Sequence, residues 1–174
     1  SSLSTHRQHP EIHRMIRFVG DGGHASVLKE LVDAMSAHGT NGHSVDAWII
    51  AIGDNKDRKH EAERKSGPFA VLIHPHAIVS DSARIGAGSV IMAGAVIQAH
   101  ANIGRHAIVN SGAVVDHHCI VGDYAHIAPG AHLCGNVNIG EGALVGVGVG
   151  LEPGVNIPAW SIVKRENYSV CPMK

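Results

Sequence analysis

The chain has 174 residues, and 14 lysines and arginines stand against 15 aspartates and glutamates, for a formal net charge of −1. A near-neutral chain without a basic cluster is unlike a nucleic-acid-binding protein or a polybasic membrane-surface protein, and no apolar run approaches the roughly 18 residues of a membrane span. The three cysteines are odd in number and lack disulfide spacing, which favours a reduced, cytoplasmic protein.

The N-terminal part predicts a polar arm followed by a small α/β domain. Residues 1–14 are polar and precede Met15, so we expect a disordered arm or a vector-derived remnant. Residues 15–72 predict a strand over 16–19, a glycine turn, an amphipathic helix ending near Gly39, a second strand in DAWIIAIGDN, a polar helix in DRKHEAERKSG and a third strand in FAVLIHP. This order is typical of a small, Rossmann-like parallel sheet.

The turn after the first strand matches a phosphate-binding pattern. Gly20, Gly22 and Ala25 fit G-x-G-x-x-A between a strand and a helix. A dinucleotide site needs two mononucleotide halves, and this short domain holds one at most. The turn therefore predicts one phosphate or nucleotide group at the helix N-terminus; a tight turn without a ligand is the alternative.

The rest of the chain has a sequence repeat of six residues. From Ile73 to Val163 an aliphatic residue occupies every sixth position without a break, and a small or short residue follows it by four positions, Cys119 among them. A period of six fits neither an α-helix nor a hairpin meander. It predicts a solenoid over residues 73–163, each hexad being one short strand and a turn. Cys119 is expected inside it, and residues 164–174 form a C-terminal tail.

The hexads resemble those of the hexapeptide-repeat transferases, which fold as left-handed parallel β-helices with three hexads in each triangular coil. The order VGDGGHASV, AIGDN, LIHPHAIVS and NSGAVVDHHCIVGDYAHIAPGA is more specific. Over roughly residues 15–163 it resembles the bacterial sugar acyltransferases of the sialic-acid O-acetyltransferase type. That family includes N-acetyltransferases of UDP- or GDP-linked amino sugars and members from exopolysaccharide clusters.

The resemblance implies a function and an assembly. The expected activity is acetyl transfer from acetyl-CoA to a nucleotide-linked amino sugar, in a cytoplasmic homotrimer whose active sites lie between subunits. In the family the N-terminal domain holds the nucleotide-sugar, so the implied contacts are Gly22, Gly23, His24 and Gly53. O-acetylation of a free sugar such as sialic acid, and a non-catalytic trimeric scaffold, are the alternatives.

The resemblance also implies roles for the histidines of the solenoid. The family's general base is the histidine of a short acidic-His turn, which here is Asp116-His117. The residue after the base is commonly acidic, whereas here it is His118, so either Asp116 or a carboxylate from elsewhere is expected as the orienting partner. His118 and His132 also fit solvated wall residues.

The acyl-CoA contacts follow from the same comparison. A second family histidine, nine residues after the base, contacts acyl-CoA, and His126 matches it; Gly135 and Val147 match further contacts. His117 and His126 fall on different walls of one prism, so they are expected to meet only across two subunits.

No metal is expected. The zinc-dependent carbonic anhydrases of this fold carry histidines five residues apart, a spacing that the solenoid histidines lack. His100 and His118 stack one coil apart, but two ligands make an incomplete zinc site.

Overall fold

The computed structural model describes residues 16–37 and 46–165. The predictions for residues 1–14, for the helix end at Gly39 and for most of the tail lie outside these ranges. Within them, no helix is long and apolar enough to cross a membrane.

In residues 16–37 and 46–71 the N-terminal unit has two strands and two helices: β1 (Ile16–Val19), α1 (Gly23–Ala37), β2 (Ala47–Ile50) and α2 (Asn55–Glu63). β1 and β2 pair in parallel, Ile16 opposite Ala47. α2 begins after the N-cap Asp54, whose carboxylate accepts the main-chain N–H groups of Lys56 and Asp57 at 2.9 and 3.0 Å. The unit is thus a parallel strand pair with its helices.

The predicted third strand of this unit is divided between two sheets. Phe69 makes only a parallel bridge to Trp48. Leu72 and Ile73 pair instead with Val90 and Ile91, one coil further along the chain. The segment therefore starts the solenoid, because its main-chain hydrogen bonds are satisfied there, and the small sheet keeps two strands.

The solenoid consists of sixteen two-residue strands in three parallel sheets of five, five and six strands. Each strand pairs with the strand 18 residues away, as Val114 does with Val96 and His132. The predicted period is confirmed without a slip. The strands are β3 (Leu72–Ile73), β4 (Ile78–Val79), β5 (Arg84–Ile85), β6 (Val90–Ile91), β7 (Val96–Ile97), β8 (Asn102–Ile103), β9 (Ile108–Val109), β10 (Val114–Val115), β11 (Ile120–Val121), β12 (His126–Ile127), β13 (His132–Leu133), β14 (Asn138–Ile139), β15 (Leu144–Val145), β16 (Gly150–Leu151), β17 (Asn156–Ile157) and β18 (Ile162–Val163).

The interior of the prism holds the two hexad positions that the sequence singles out. The repeating aliphatic residues and the small residues between them form one continuous buried cluster. Cys119 lies inside it, fully buried, with its Sγ 3.1 Å from the carbonyl oxygen of Cys134. Burial raises the pKa of the Cys119 thiol, which disfavours the reactive thiolate.

The turns between strands require a left-handed residue once per hexad. From Gly88 to Trp160 every sixth residue has a φ between 53° and 80°. Seven of these thirteen positions are glycine, the residue with the lowest steric cost there. The other six are His100, His106, His118, Tyr124, Asn136 and Trp160.

The N-terminal unit packs on one wall of the solenoid. Leu72, Val90 and Met92 form a buried cluster with the apolar face of α1, including Leu28 and Leu31. Burying a large aliphatic side chain contributes about 1.5–3 kcal/mol. This shared core fixes the start of α1 against the prism.

His106 is buried where the N-terminal unit meets a solenoid turn. Its ring stacks on Tyr124, with centroids 5.2 Å apart, and meets Phe69 edge-on at 4.5 Å. Neither ring nitrogen has a hydrogen-bond partner among the residues that the structure describes. Burial, with smaller contributions from Arg105 and Arg58, lowers the pKa of His106 to about 4.

This pKa predicts acid sensitivity. Because the folded pKa lies below the unfolded value, the unfolded state binds the extra proton, and stability is lost as pH falls from about 6.5 towards 4. We expect His106→Asn, which suits a positive φ, to reduce the slope of unfolding free energy against pH in this window by up to about 1.4 kcal/mol per pH unit. Denaturant titrations at several pH values measure the unfolding free energy of both proteins. Equal slopes against pH in the wild type and in His106→Asn would contradict the prediction.

Candidate active site

His117 lies in the exposed turn after β10. The carboxylate of Asp116 accepts the main-chain N–H of His117 at 2.7 Å, which fixes the backbone of the turn. Asp116 thus contacts the backbone of His117, and no hydrogen bond from it to the imidazole is seen within the described residues. In this structure Asp116 therefore orients the backbone of the turn and not the imidazole ring.

Gly135 provides the space for the His117 ring. It lies one coil above His117 and is buried. A Cβ on Gly135 would lie 2.5 Å from both Cε1 and Nε2 of His117. The absence of a side chain at position 135 therefore sets where the imidazole rests.

Gly135→Ala is expected to displace the imidazole without unfolding the protein. His117 is exposed and able to rotate away, so the stability should change by less than about 1 kcal/mol. If His117 is the base that the resemblance implies, turnover should fall about 10- to 100-fold, since small misplacements of a reacting group are costly. The control is Gly150→Ala, where an added Cβ meets nothing within 4 Å. A rise in the KM for the acyl donor is compatible with this prediction, but a kcat equal to that of the control would contradict the role of Gly135 in placing the imidazole.

His118 occupies a left-handed turn position, with φ at 58°. Its Nδ1 lies 3.2 Å from Nδ1 of His117, and its ring centroid lies 5.0 Å from that of His100, one coil below. His118 is exposed, but it contacts the candidate base directly. His132 is also exposed, on β13.

His126 projects outwards from β12, on another wall from the His117 turn. Its Nε2 lies 3.1 Å from the Asn110 amide nitrogen. Since Oδ1 of Asn110 accepts the main-chain N–H of Ser111 at 2.8 Å, the amide group is oriented with its NH₂ towards His126. Nε2 of His126 is therefore an acceptor, and Nδ1 carries the proton.

The pKa of His126 agrees with this neutral form. Burial lowers it to about 4, with additional effects from Arg58 and His24. His24, in the first turn of α1, has a lowered pKa for the same leading reason, and its buried Nε2 has no hydrogen-bond partner in the described part of the chain. The start of α1 and His126 are thus within electrostatic range of each other on one face.

The glycine turn is open on this face. Gly22 and Gly23 are exposed, and a Cβ on either would meet nothing within 4 Å. The first N–H groups of a helix lack partners within the helix and favour anions. An approaching phosphate would therefore meet backbone at this point.

Arg58 links the turn after β2 to the solenoid, a role that the sequence did not reveal. It is 1% exposed, and its guanidinium donates to the carbonyls of Ile52 and Gly53 at 3.0 and 2.9 Å. It also donates to the carbonyls of His106 and Tyr124 at 2.8 and 2.7 Å. Burial lowers its pKa to about 10.

The sequence-predicted residues therefore form two groups. Gly22, Gly23, His24, Gly53 and His126 belong to the side where the N-terminal unit packs. Asp116, His117, His118 and Gly135 form the second group at a different corner. Val147, 68% exposed, lies on the turn after β15.

The described residues contain no group of three or more histidine, cysteine or acidic side chains placed to hold a metal ion. His100 and His118 are stacked, as their register predicts, but they lack a third ligand.

Comparison with known proteins gives close relatives. No model of a protein family matches the chain. The UDP-N-acetylbacillosamine N-acetyltransferase of Bacillus subtilis (strain 168) is 42% identical over 110 residues, covering 45% of this chain and 51% of the relative. The match thus spans about half the length of this curated relative.

Two solved structures match most of the chain. The acetyltransferase domain of PglB from Neisseria gonorrhoeae FA1090, in complex with acetyl coenzyme A, is 34% identical with a TM-score of 0.77, over 84% of this chain and 86% of that one. PerB from Caulobacter crescentus, in complex with CoA and GDP-perosamine, is 33% identical with a TM-score of 0.73, over 86% and 88%.

The fold is thus that of a hexapeptide-repeat acyltransferase, a left-handed parallel β-helix preceded by a small α/β unit. The chain belongs to the family of bacterial sugar N-acetyltransferases built on this β-helix.

Proposed function

We propose that the protein transfers an acetyl group from acetyl-CoA to the amine of a nucleotide-linked amino sugar. The observation that carries this proposal is the match over 86% of the chain to PerB, whose structure holds both CoA and GDP-perosamine. The open glycine turn at the start of α1, next to His126, supports it from the chain's own geometry.

The N-terminal unit is assigned to the acceptor. It serves as a reduced Rossmann-like domain, in which Gly22, Gly23, His24 and Gly53 hold the nucleotide-sugar. Arg58 supports this assignment, because it bonds the Gly53 carbonyl and the solenoid at once and so fixes the loop in position. The backbone N–H groups of the first turn of α1 are suited to a phosphate.

His117 is assigned as the general base. Its Nε2 removes a proton from the sugar amine as the nitrogen attacks the thioester carbon. The C–S bond breaks, and the thiolate leaves as CoA-SH after receiving that proton. The products are the N-acetyl sugar and free CoA, without an acyl-enzyme. Cys119 is buried in the core, whereas Cys134 is exposed, so loss of all activity in Cys134→Ala with activity kept in His117→Ala would contradict this mechanism.

His126 is assigned to the acyl donor, with Gly135 and Val147. A neutral imidazole with its proton on Nδ1 offers a hydrogen-bond donor to the donor molecule. Because His117 and His126 lie on different parts of one prism, we place each active site between two subunits of a homotrimer. Acetyl-CoA is a cytoplasmic metabolite, so we place the reaction there.

The function is tested by thiol release from acetyl-CoA with a panel of UDP-, GDP- and dTDP-linked 4-amino-6-deoxysugars and free sialic acid. Turnover confined to a nucleotide-linked amino sugar is the expected result. Turnover of sialic acid alone would establish the O-acetyltransferase instead. Absence of acetyl-CoA binding by calorimetry would favour a non-catalytic scaffold.

Gly23→Ala tests the acceptor site. The added methyl group meets no protein atom, so the fold should be unchanged, but it would obstruct a phosphate at the backbone. We expect the KM for the nucleotide-sugar to rise about 10-fold, the loss of about 1.4 kcal/mol of binding. The KM for acetyl-CoA should stay constant. Glu30→Gln, an exposed change on the same helix, is the control; equal kinetics for both variants would refute the assignment.

A further inference from the structure

The imidazoles of His117 and His118 make a direct contact. Their Nδ1 atoms lie 3.2 Å apart, which is hydrogen-bond distance between two ring nitrogens. Such a bond requires one nitrogen to carry a proton and the other to be bare. The only carboxylate in this turn, that of Asp116, is bonded to the backbone of His117.

The backbone holds both rings in this arrangement. The positive φ of His118 turns its side chain alongside that of the preceding residue and over His100. The ring of His117 rests on Gly135. The contact between the two rings is therefore built by the turn and by the coils on either side.

We propose that His118 is a positioning residue that accepts a hydrogen bond from Nδ1–H of His117 and thereby keeps Nε2 of His117 bare and able to accept a proton. This inference rests on the proposed function, in which Nε2 of His117 is the base. The inference goes beyond the proposed function because it gives the imidazole of His118 the orienting role that a carboxylate would otherwise have.

The arrangement suits the proton transfer. When Nε2 takes the proton from the amine, His117 becomes an imidazolium whose Nδ1–H already donates to His118. A hydrogen bond from a charged donor is stronger than the neutral one, so the pair stabilises the charge as it forms. The other tautomer, with the proton on Nε2, has no site there for the proton of the amine.

Two variants of His118 distinguish the loss of a hydrogen-bond acceptor from an effect on the fold. His118→Gly removes the acceptor and suits the positive φ, since seven equivalent turns of this chain use glycine. His118→Asp also tolerates that φ, and its Oδ1 takes the place of Nδ1 as an acceptor. Both are compared with the wild type by steady-state kinetics and by the imidazole ¹⁵N shifts of His117, assigned through His117→Ala.

The expected result is a kcat about 10- to 100-fold lower in His118→Gly, part of the roughly 10²–10⁴-fold that a positioned base contributes. KM values should change less than about 3-fold, and His118→Asp should retain at least a third of the wild-type kcat. The shifts should show Nδ1–H on His117 in the wild type and in His118→Asp, and its loss in His118→Gly.

Other outcomes overturn the inference. If His118→Gly keeps both the wild-type kcat and the tautomer, His118 is a solvated turn residue. If His118→Asp fails as fully as His118→Gly, an acceptor is not what matters. If no sugar is turned over, the proposed function fails, while the ¹⁵N shifts still decide whether the hydrogen bond sets the tautomer.

Discussion

Replacing Arg58 by alanine is expected to destabilise the docking of the N-terminal unit by about 3–5 kcal/mol, because each buried carbonyl left without a donor costs about 1–3 kcal/mol. The guanidinium donates to the carbonyls of His106 and Tyr124 on the solenoid and to those of the loop after β2. Amide hydrogen exchange in α2 and β2 reports the loss locally, while the solenoid serves as the internal reference.

The matched control is Arg64→Ala, at the C-cap of the same helix. The Arg64 side chain is 64% exposed and its ion pair within the described residues is with Glu61, at 3.3 Å, so its removal should change stability by less than about 0.5 kcal/mol. Equal exchange rates in the Arg58 and Arg64 variants would contradict the role given to Arg58.

Replacing His117 by alanine is expected to lower kcat about 10²- to 10⁴-fold, the range attributed to a positioned general base. Its side chain is exposed and makes no core contact, so the thermal midpoint should be unchanged. Acetyl-CoA should still bind, since the residues assigned to the donor, apart from Gly135, lie elsewhere. Steady-state kinetics and calorimetry measure the two effects separately.

The control is His132→Ala, which removes an exposed imidazole from β13. It should behave as the wild type. A His117→Ala enzyme with more than a tenth of the wild-type kcat would remove His117 as the base, and equal losses in both variants would indicate a general effect of surface histidines.

The solenoid was predictable because its period is encoded at every coil. Each coil needs aliphatic and small residues at its interior positions, so the pattern can be recognised in the sequence without knowledge of the tertiary contacts. The third strand of the N-terminal unit was divided differently, since FAVLIHP is apolar enough for either sheet. Only the register of Leu72 with Val90 decides between them.

Residues whose roles depend on tertiary contacts were harder to predict from the sequence. Arg58 lies in a helix that reads as polar, and its burial depends on carbonyls 48 and 66 residues away. Asn110 begins the stretch NSGAVVDHHCIVGDYAHIAPGA but had no expected role in it, although its amide sets the tautomer of His126. The turn position of His118 was visible as a multiple of six from Gly112 and Gly130, a signal that would have placed it at positive φ.

The proposed sharing of the active site between subunits is tested most directly by complementation. His117→Ala and His126→Ala chains with different tags are co-expressed, and mixed assemblies are isolated and confirmed by native mass spectrometry. If each site of a trimer takes His117 from one chain and His126 from its neighbour, every isolated mixed trimer holds one intact site of three and should show about one third of the wild-type kcat. Mixed assemblies as inactive as either variant alone would contradict a site built between subunits.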